Sequence, residues 1–327
     1  MSEPSMSTLI EASDLDGLVA LIGRLVAAGD WEGIDDLIRR CDQAVERGKQ
    51  VWGAREYAEY RIALDAPEER AATVLHVGAG RFAPGPLWEV AASTHTWAEL
   101  GRHITQSAIA FSVSQERALR GERLPDDAVI IMGTPEVPLR PASWEPRYLV
   151  ATYREDGVDV PGPELGELAW VDLGDPVEPV DDREACDALL DIVRPWLDES
   201  SGRGEAVAVE GDARNAIRAL GPHRVRLAPI SPQTAIQLMA WAGASGGAYG
   251  RRRGTPAGRA AAWWALASLL GIEEAWPVDP DELGEAVGTL RWFAWDPGDQ
   301  VGGWAYHLAV EDPDEGLAWA VSAVDAM

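Results

Sequence analysis

Lysine is almost absent from this chain. Lys49 is the one lysine, so 27 of the 28 basic residues are arginines. That excludes a Schiff-base lysine and the lysine of a GxxxxGK[ST] phosphate loop, because no such loop surrounds Lys49. Recognition of an anion therefore falls to arginine, whose planar fork suits phosphate and carboxylate. Cysteine is nearly as scarce: Cys41 and Cys186 are the two, in no CxxC or other ligand-like spacing. A disulfide scaffold is excluded, and a reducing, cytoplasmic location is the expectation. Long hydrophobic runs are missing too. The longest, 260–272, has thirteen residues, against about 18 for a membrane span, so it reads as a buried helix and no membrane is expected. The opening MSEPSMSTLI has no basic stretch of the signal-peptide kind; the first basic residue is Arg24.

What the chain has in excess is acid. The 54 Asp and Glu against 28 Lys and Arg give a net charge of −26 over 327 residues. A nucleic-acid backbone would meet a repulsive field over most of the surface, so general nucleic-acid binding is excluded, a local basic patch apart. A hydrophobic content of 46% is that of a folded globular protein, and the length suits two domains.

The expected fold is α+β, mainly α. Residues 1–154 read as an array of antiparallel helical hairpins, either solenoid-like or a bundle. Leu15, Leu18, Val19, Ile22, Leu25 and Val26 recur at helical spacing behind Ser13, a good N-cap. Gly29 then ends that helix and Asp30 caps the next, which carries Trp31, Ile34, Leu37, Ile38, Cys41 and Val45 on one face. Such short connections favour antiparallel neighbours. Further helices are expected over 51–64, after Asp65 and Pro67, and as a pair over 85–100 and 104–120. No strict repeat is found. From Glu155 to Asp191 there are thirteen acids and one arginine, Arg183, among Pro161, Pro163, Pro176 and Pro179. Residues 155–182 therefore read as an acidic, proline-bearing linker.

Residues 183–327 read as an α/β domain. Short buried strands at 206–209 and 225–228 flank a helix over 212–220, a spacing that permits a right-handed βαβ unit with parallel strands. Helices open at Ser231-Pro232 and Thr255-Pro256. The segments 290–295 and 304–310 alternate like a hairpin around DPGDQVGG, and a last helix is expected over 315–325.

Three segments, GRFAPGPLWEVAASTHTWAEL, ASGGAYGRRRG and LAVEDPDEGLAWAV, resemble a group of uncharacterised proteins from high-GC actinobacteria. The resemblance spans both halves of the chain. It implies an actinobacterial origin and a two-part architecture, and it carries no established activity, catalytic residue or cofactor.

The chief local anomaly is Gly243–Arg259, GASGGAYGRRRGTPAGR, with four arginines, six glycines and no acid. It ends at a helix N-terminus, where free N–H groups and the helix dipole favour an anion. Glycines let backbone N–H groups approach a ligand, and guanidinium forks grip phosphate or carboxylate in pairs. On this reading Arg251, Arg252, Arg253 and Arg259, with Gly250, Gly254 and Thr255, bind a phosphorylated or carboxylated small molecule. The bland alternative is that the arginines clamp the acidic linker or the 279–285 segment.

Other constellations are thinner. His95, Glu99 and His103 at four-residue spacing could share a helix face and offer two imidazoles and a carboxylate to a metal, unless Gly101 breaks the helix; a metal is not favoured, and the pattern is not HExxH. Fifteen tryptophans, seven of them between Trp263 and Trp319, lie near Asp296, Asp299, Glu311 and Asp312, the ingredients of a sugar platform with paired carboxylates. Period-two placement of Trp304, Tyr306, Leu308 and Val310 fits core packing instead. Ser245 satisfies the bare GxSxG pattern with no strand before it, and His223 and His307 are its conceivable partners. The leading expectation is a cytoplasmic binding or regulatory protein. Its helical half would face a protein partner, and its arginine loop an anionic ligand. The alternative is an enzyme acting on a phosphorylated or carboxylated metabolite, with Ser245, Tyr249 or His307 in the chemistry. A purely structural protein is the third reading.

Overall fold

The computed structural model describes residues 4–125, 136–298 and 302–326. The chain forms two compact units, Met1–Gly133 with Ala151–Asp159, and Thr134–Val150 with Val160–Met327. Both fall within an α+β architecture with the helices concentrated in the first half and the sheet in the second.

The first unit holds α1 (Met6–Ala12), α2 (Leu15–Ala28), α3 (Trp31–Glu46), α4 (Trp52–Asp65), α5 (Glu68–Thr73), α6 (Leu87–Thr94), α7 (Trp97–Leu100) and α8 (Ser107–Leu119), with a small hairpin of β1 (Thr152–Arg154) and β2 (Gly157–Asp159). Ser13 does not cap α2. It closes the unforeseen α1 in the left-handed region at φ 53°, and Asp14 caps α2 by accepting from Gly17 N. Gly29, at φ 67°, ends α2, and Asp30 accepts from Gly33 N to start α3, so the connection is as short as the glycine and aspartate dictate. In α3 the buried Ile34, Leu37, Cys41 and Ala44 follow the helical period. Helix α4 is the hub: it packs on α2, α3, α5 and α6. From Ala58 to Leu64 it is buried without interruption, Glu59 and Arg61 included. One central helix with neighbours on several sides is a bundle arrangement, not a stack of repeats.

The second unit is built on a seven-stranded antiparallel sheet. Its strands are β3 (Ala169–Asp172), β4 (Pro179–Val180), β5 (Arg203–Glu210), β6 (Arg224–Ile230), β7 (Arg291–Asp296), β8 (Gly303–Asp312) and β9 (Leu317–Ala326), in the order β3-β6-β7-β8-β9-β5-β4. Its helices are α9 (Arg183–Asp191), α10 (Arg194–Asp198), α11 (Ala213–Ala219), α12 (Pro232–Ala244), α13 (Thr255–Leu269) and α14 (Pro280–Val287). Helix α11 covers one face, where Ala213, Ala216 and Ile217 meet Val209, Val225, Trp295, Ala309, Ala318 and Ala320. The other face, presented by Leu308, Val310, Trp319 and Val321, is covered by α9 and α12, and α13 packs against both of these helices.

Several sequence expectations change here. Strands β5 and β6 run parallel, as an even number of antiparallel pairings between them requires, but β7, β8 and β9 lie between them, so they are not a neighbouring βαβ pair. The helix expected over 315–325 is β9, a strand hydrogen-bonded on both sides, to β8 and β5. Residues 155–182 are more than a linker. Their first part forms the β1–β2 turn and β2, and their later part supplies β3 and β4, the two edge strands. Residues 136–150, read as part of the helical half, belong to the second unit. The single helix expected over 85–100 is two, α6 and α7, separated at His95-Thr96.

Candidate functional site

The arginine and glycine segment lies in the second unit, and most of it is spoken for. Arg259, on the first turns of α13, is fully buried. Its Nε donates to Glu145 Oε2 and its Nη2 to Glu145 Oε1, both at 2.7 Å, and its Nη1 donates to Pro138 O at 2.5 Å. The same carboxylate accepts from Trp263 Nε1 at 3.0 Å, from Ala142 N at 2.7 Å and from the Tyr148 hydroxyl. Tyr148 and Trp263 also present ring faces to the guanidinium. Burial pushes the Glu145 carboxyl up, but the hydrogen bonds and charge of Arg259 outweigh it and hold the group below the ordinary carboxylate range.

The glycines follow a similar logic. A Cβ on Gly258 would sit 2.0 Å from Ala240 O, so α12 and α13 cross at a distance only glycine allows. The loop beyond α12 closes on itself: a Cβ on Gly250 would meet Gly246 O at 2.1 Å. Three of its N–H groups are met from inside the unit. Gly247 N donates to Ser245 Oγ, Tyr249 N to Ser200 Oγ, and Ala248 N to Asp325 Oδ2 at 2.6 Å. Asp325 is fully buried on β9 and also accepts from the Ser201 hydroxyl. Anions do sit on this segment, and they are the chain's own: Glu145 for Arg259, Asp325 for the glycine loop.

Of the other candidates there, Arg252 is buried and reaches Thr255 Oγ1 at 3.3 Å, Thr255 is buried beneath Leu149 O, and Gly254 caps α13 at φ 94°. Arg251 is half-buried, while Arg253 and Tyr249 are exposed. Ser245 is buried and accepts from Trp196 Nε1 at 2.8 Å, an anchor for the loop with no histidine bonded to it among the described residues. His307 lies on the α11 face of the sheet, against the Trp295 ring at 4.6 Å and Ser322 Oγ at 3.2 Å. Burial pushes its imidazole down to about 4, against an upward pull from Asp296. Ser245, Tyr249 and His307 form no hydrogen-bonded set with one another among the described contacts.

The weak metal candidates are scattered. His95 ends α6 with Nε2 on Ala66 O at 2.9 Å, Glu99 closes a capping box with Thr96 on α7, and His103 accepts from Arg102 Nε. The helix breaks before Thr96, ahead of the glycine at 101, and among the described residues no group of His, Cys, Asp and Glu could hold a metal ion. The tryptophan-rich end is core for the most part: Trp263, Trp292, Trp295 and Trp319 are buried, Trp276 and Trp304 are half-buried, and Trp264 is exposed. Its acids are engaged, Asp296 with Arg226, Glu311 with Arg291 at 2.9 Å, and Asp312 with the turn N–H groups of Asp314 and Glu315. Asp299 lies outside the described residues.

A cleft that no motif announces lies in the first unit. Its volume is about 460 Å³, within the range of small-ligand sites. One stripe of α4 forms its floor, with Trp52, Glu56 and Tyr57 at helical spacing and Gly53 beside them. The 82–84 loop and the β1–β2 turn form its walls, adding Phe82 and the carboxylates of Glu155 and Asp156. Trp52 and Phe82 lie 4.4 Å apart between ring centroids yet are 42% and 60% exposed. Hydrogen bonds fix the walls to the floor: Phe82 N donates to Glu56 Oε2 at 2.6 Å, and the Tyr57 hydroxyl donates to Glu155 O at 3.1 Å. Glu155 has Arg61 at 3.4 Å. Glu56 and Asp156 have no ion-pair partner among the described residues. The sequence hinted at this site only through an aromatic at the start of α4 and one of just three phenylalanines, which meet across segments far apart in the chain.

A model of a family of unknown function, DUF6183, matches residues 16–326. The chain belongs to that family. No curated protein and no solved structure matches it. The match reaches across both units, so membership of DUF6183 takes in the cleft and the arginine segment alike.

Proposed function

We propose that this DUF6183 protein is a binding or regulatory protein whose recognition surface is the aromatic cleft on α4. The observation that carries this reading is the exposure of Trp52 and Phe82 around a walled cavity, Trp52 being one of three exposed tryptophans among the fifteen of the chain. Exposed aromatic groups in a concave, preformed setting are what ligand sites use. The anion-binding reading of Gly243–Arg259 keeps Arg253 and Tyr249 as its exposed members, and the enzyme reading needs titratable groups to converge beside them. We place the protein in the cytoplasm: Cys41 and Cys186 are free thiols, burial pushes them up to about 11 and about 12, and no helix of the described residues is long and apolar enough to cross a membrane.

The test is a thermal-shift screen of nucleotides, sugar phosphates, acyl-CoAs, simple anions and organic amines. It is run on the full chain, on Trp52→Ala/Phe82→Ala and on Arg251–Arg253→Ser. A ligand at about 100 times its dissociation constant stabilises by about 2.7 kcal/mol, a shift of a few degrees. A shift lost only in the Trp52/Phe82 variant supports the cleft. One lost only in the arginine variant overturns it in favour of the anion site, and turnover of the ligand moves the case to an enzyme.

A further inference from the structure

The cleft combines two features that address the same ligand chemistry from different sides. Trp52, Tyr57 and Phe82 offer aromatic faces and edges around one cavity, Glu56 adds a carboxylate on its floor, and Glu155 and Asp156 add two at its walls. Ring faces attract a cation through their quadrupole, most strongly where water is partly excluded, and carboxylates attract it by charge over a longer range. An anion would meet three carboxylates; a neutral apolar ligand would gain nothing from them. The cations nearby do not fill the cavity. Arg61 is buried beneath it, on Tyr57, Asp65 and Glu155. Arg81 lies on the Phe82 ring at 5.7 Å and is not among the lining residues. Within a protein of net charge −26, the surrounding field adds to the selection for positive charge.

We infer that the cleft binds a small organic cation, an ammonium group carried on an apolar body, with the charge toward Glu155 and Asp156 and the body against Trp52 and Phe82. This deepens the proposed function and rests on its placing recognition in the cleft. The orientation follows from the walls: two of the three carboxylates, Glu155 and Asp156, come from the β1–β2 turn, and the two exposed rings from the start of α4 and the 82–84 loop.

An isosteric charge series tests this by titration calorimetry on the full chain at pH 7.5 and low salt: 2-phenylethylammonium, neutral 2-phenylethanol and anionic phenylacetate. Saturable binding is expected for the ammonium, at least tenfold tighter than for the alcohol, with none for phenylacetate. Glu155→Gln/Asp156→Asn is expected to weaken the ammonium at least tenfold and leave the alcohol unchanged. Gly53 gives a blocking variant that removes no contact: a Cβ there meets nothing within 4 Å, and the residue lines the cavity. Gly53→Leu should abolish binding while the thermal midpoint stays within a few degrees of the parent. Equal affinity for ammonium and alcohol, no saturable binding, or binding untouched by Gly53→Leu would overturn the inference. A cleft ligand found in the screen above, together with a flat charge series, would leave the cleft standing and remove the cation.

Discussion

Arg259 and Glu145 show how a charge is kept in a protein interior. Each is fully buried in its side chain, and the pair persists because every principal lobe of the carboxylate has a donor. Removing one partner leaves the other charged in a low-dielectric site. Arg259→Leu or Glu145→Leu should each cost about 3–5 kcal/mol, while the double variant should cost clearly less than the sum. A double-mutant cycle by urea unfolding checks this. His307 gives a second prediction. Its folded value of about 4 lies below the ordinary 6.5, so the unfolded chain takes up a proton first as pH falls. The stability this represents is complete above pH 6.5 and is lost as pH drops toward 4, about 3 kcal/mol in all. His307→Gln should flatten that part of the pH–stability profile relative to the parent. Neither partner of these groups was visible beforehand. The acid for Arg259 was sought in residues 155–182 and 279–285, and it sits in 136–150, which carried no local signal of its own.

At the scale of elements, α2 and α3 were legible because an apolar period, a capping Asp and the glycine between them mark them locally, while the short α1 and the break between α6 and α7 were not. Nor was strand β9. Its sequence LAWAVSAVDA lacks the alternation of a half-exposed strand because helices cover both faces of the sheet there, and a continuous apolar run does not distinguish strand from helix. Strands β3 and β4 were hidden for the opposite reason: as short edge strands they tolerate the charge and proline that made the stretch look like a linker. Glycines separate into those a helix needs and those it merely tolerates. Gly258→Ala should destabilise by more than about 1 kcal/mol, since α12 must move off α13. Gly23→Ala, on α2 with open space around it, should stabilise by about 0.5–1 kcal/mol. Chemical denaturation of the two variants side by side reads both signs.

The whole molecule carries a large uncompensated charge, and its ion pairs, mostly exposed, return little of that cost. Screening should therefore stabilise it on balance: the thermal midpoint is expected to rise between 10 mM and 300 mM sodium chloride. A midpoint that falls over this range would mean that its ion pairs outweigh its self-repulsion. The interleaving of the two units also decides where the chain can be cut. A fragment ending at residue 154, the boundary read from sequence, loses β2 and with it Glu155 and Asp156 of the cleft. One ending at 159 keeps them.

The strand order has a consequence for how the protein is made. Strand β5 leaves the ribosome well before its long partner β9, with which it pairs from Glu210 with Leu317 to Arg203 with Val324. About a hundred residues must be synthesised while that inner edge of β5 has nothing to pair with, and late closure of distant strands is slow and prone to misassociation. Strands β6, β7, β8 and β9 meanwhile follow a simple neighbour-to-neighbour meander. Nascent chains of this protein are thus open to capture, by a chaperone or by each other, until β9 slots between β8 and β5.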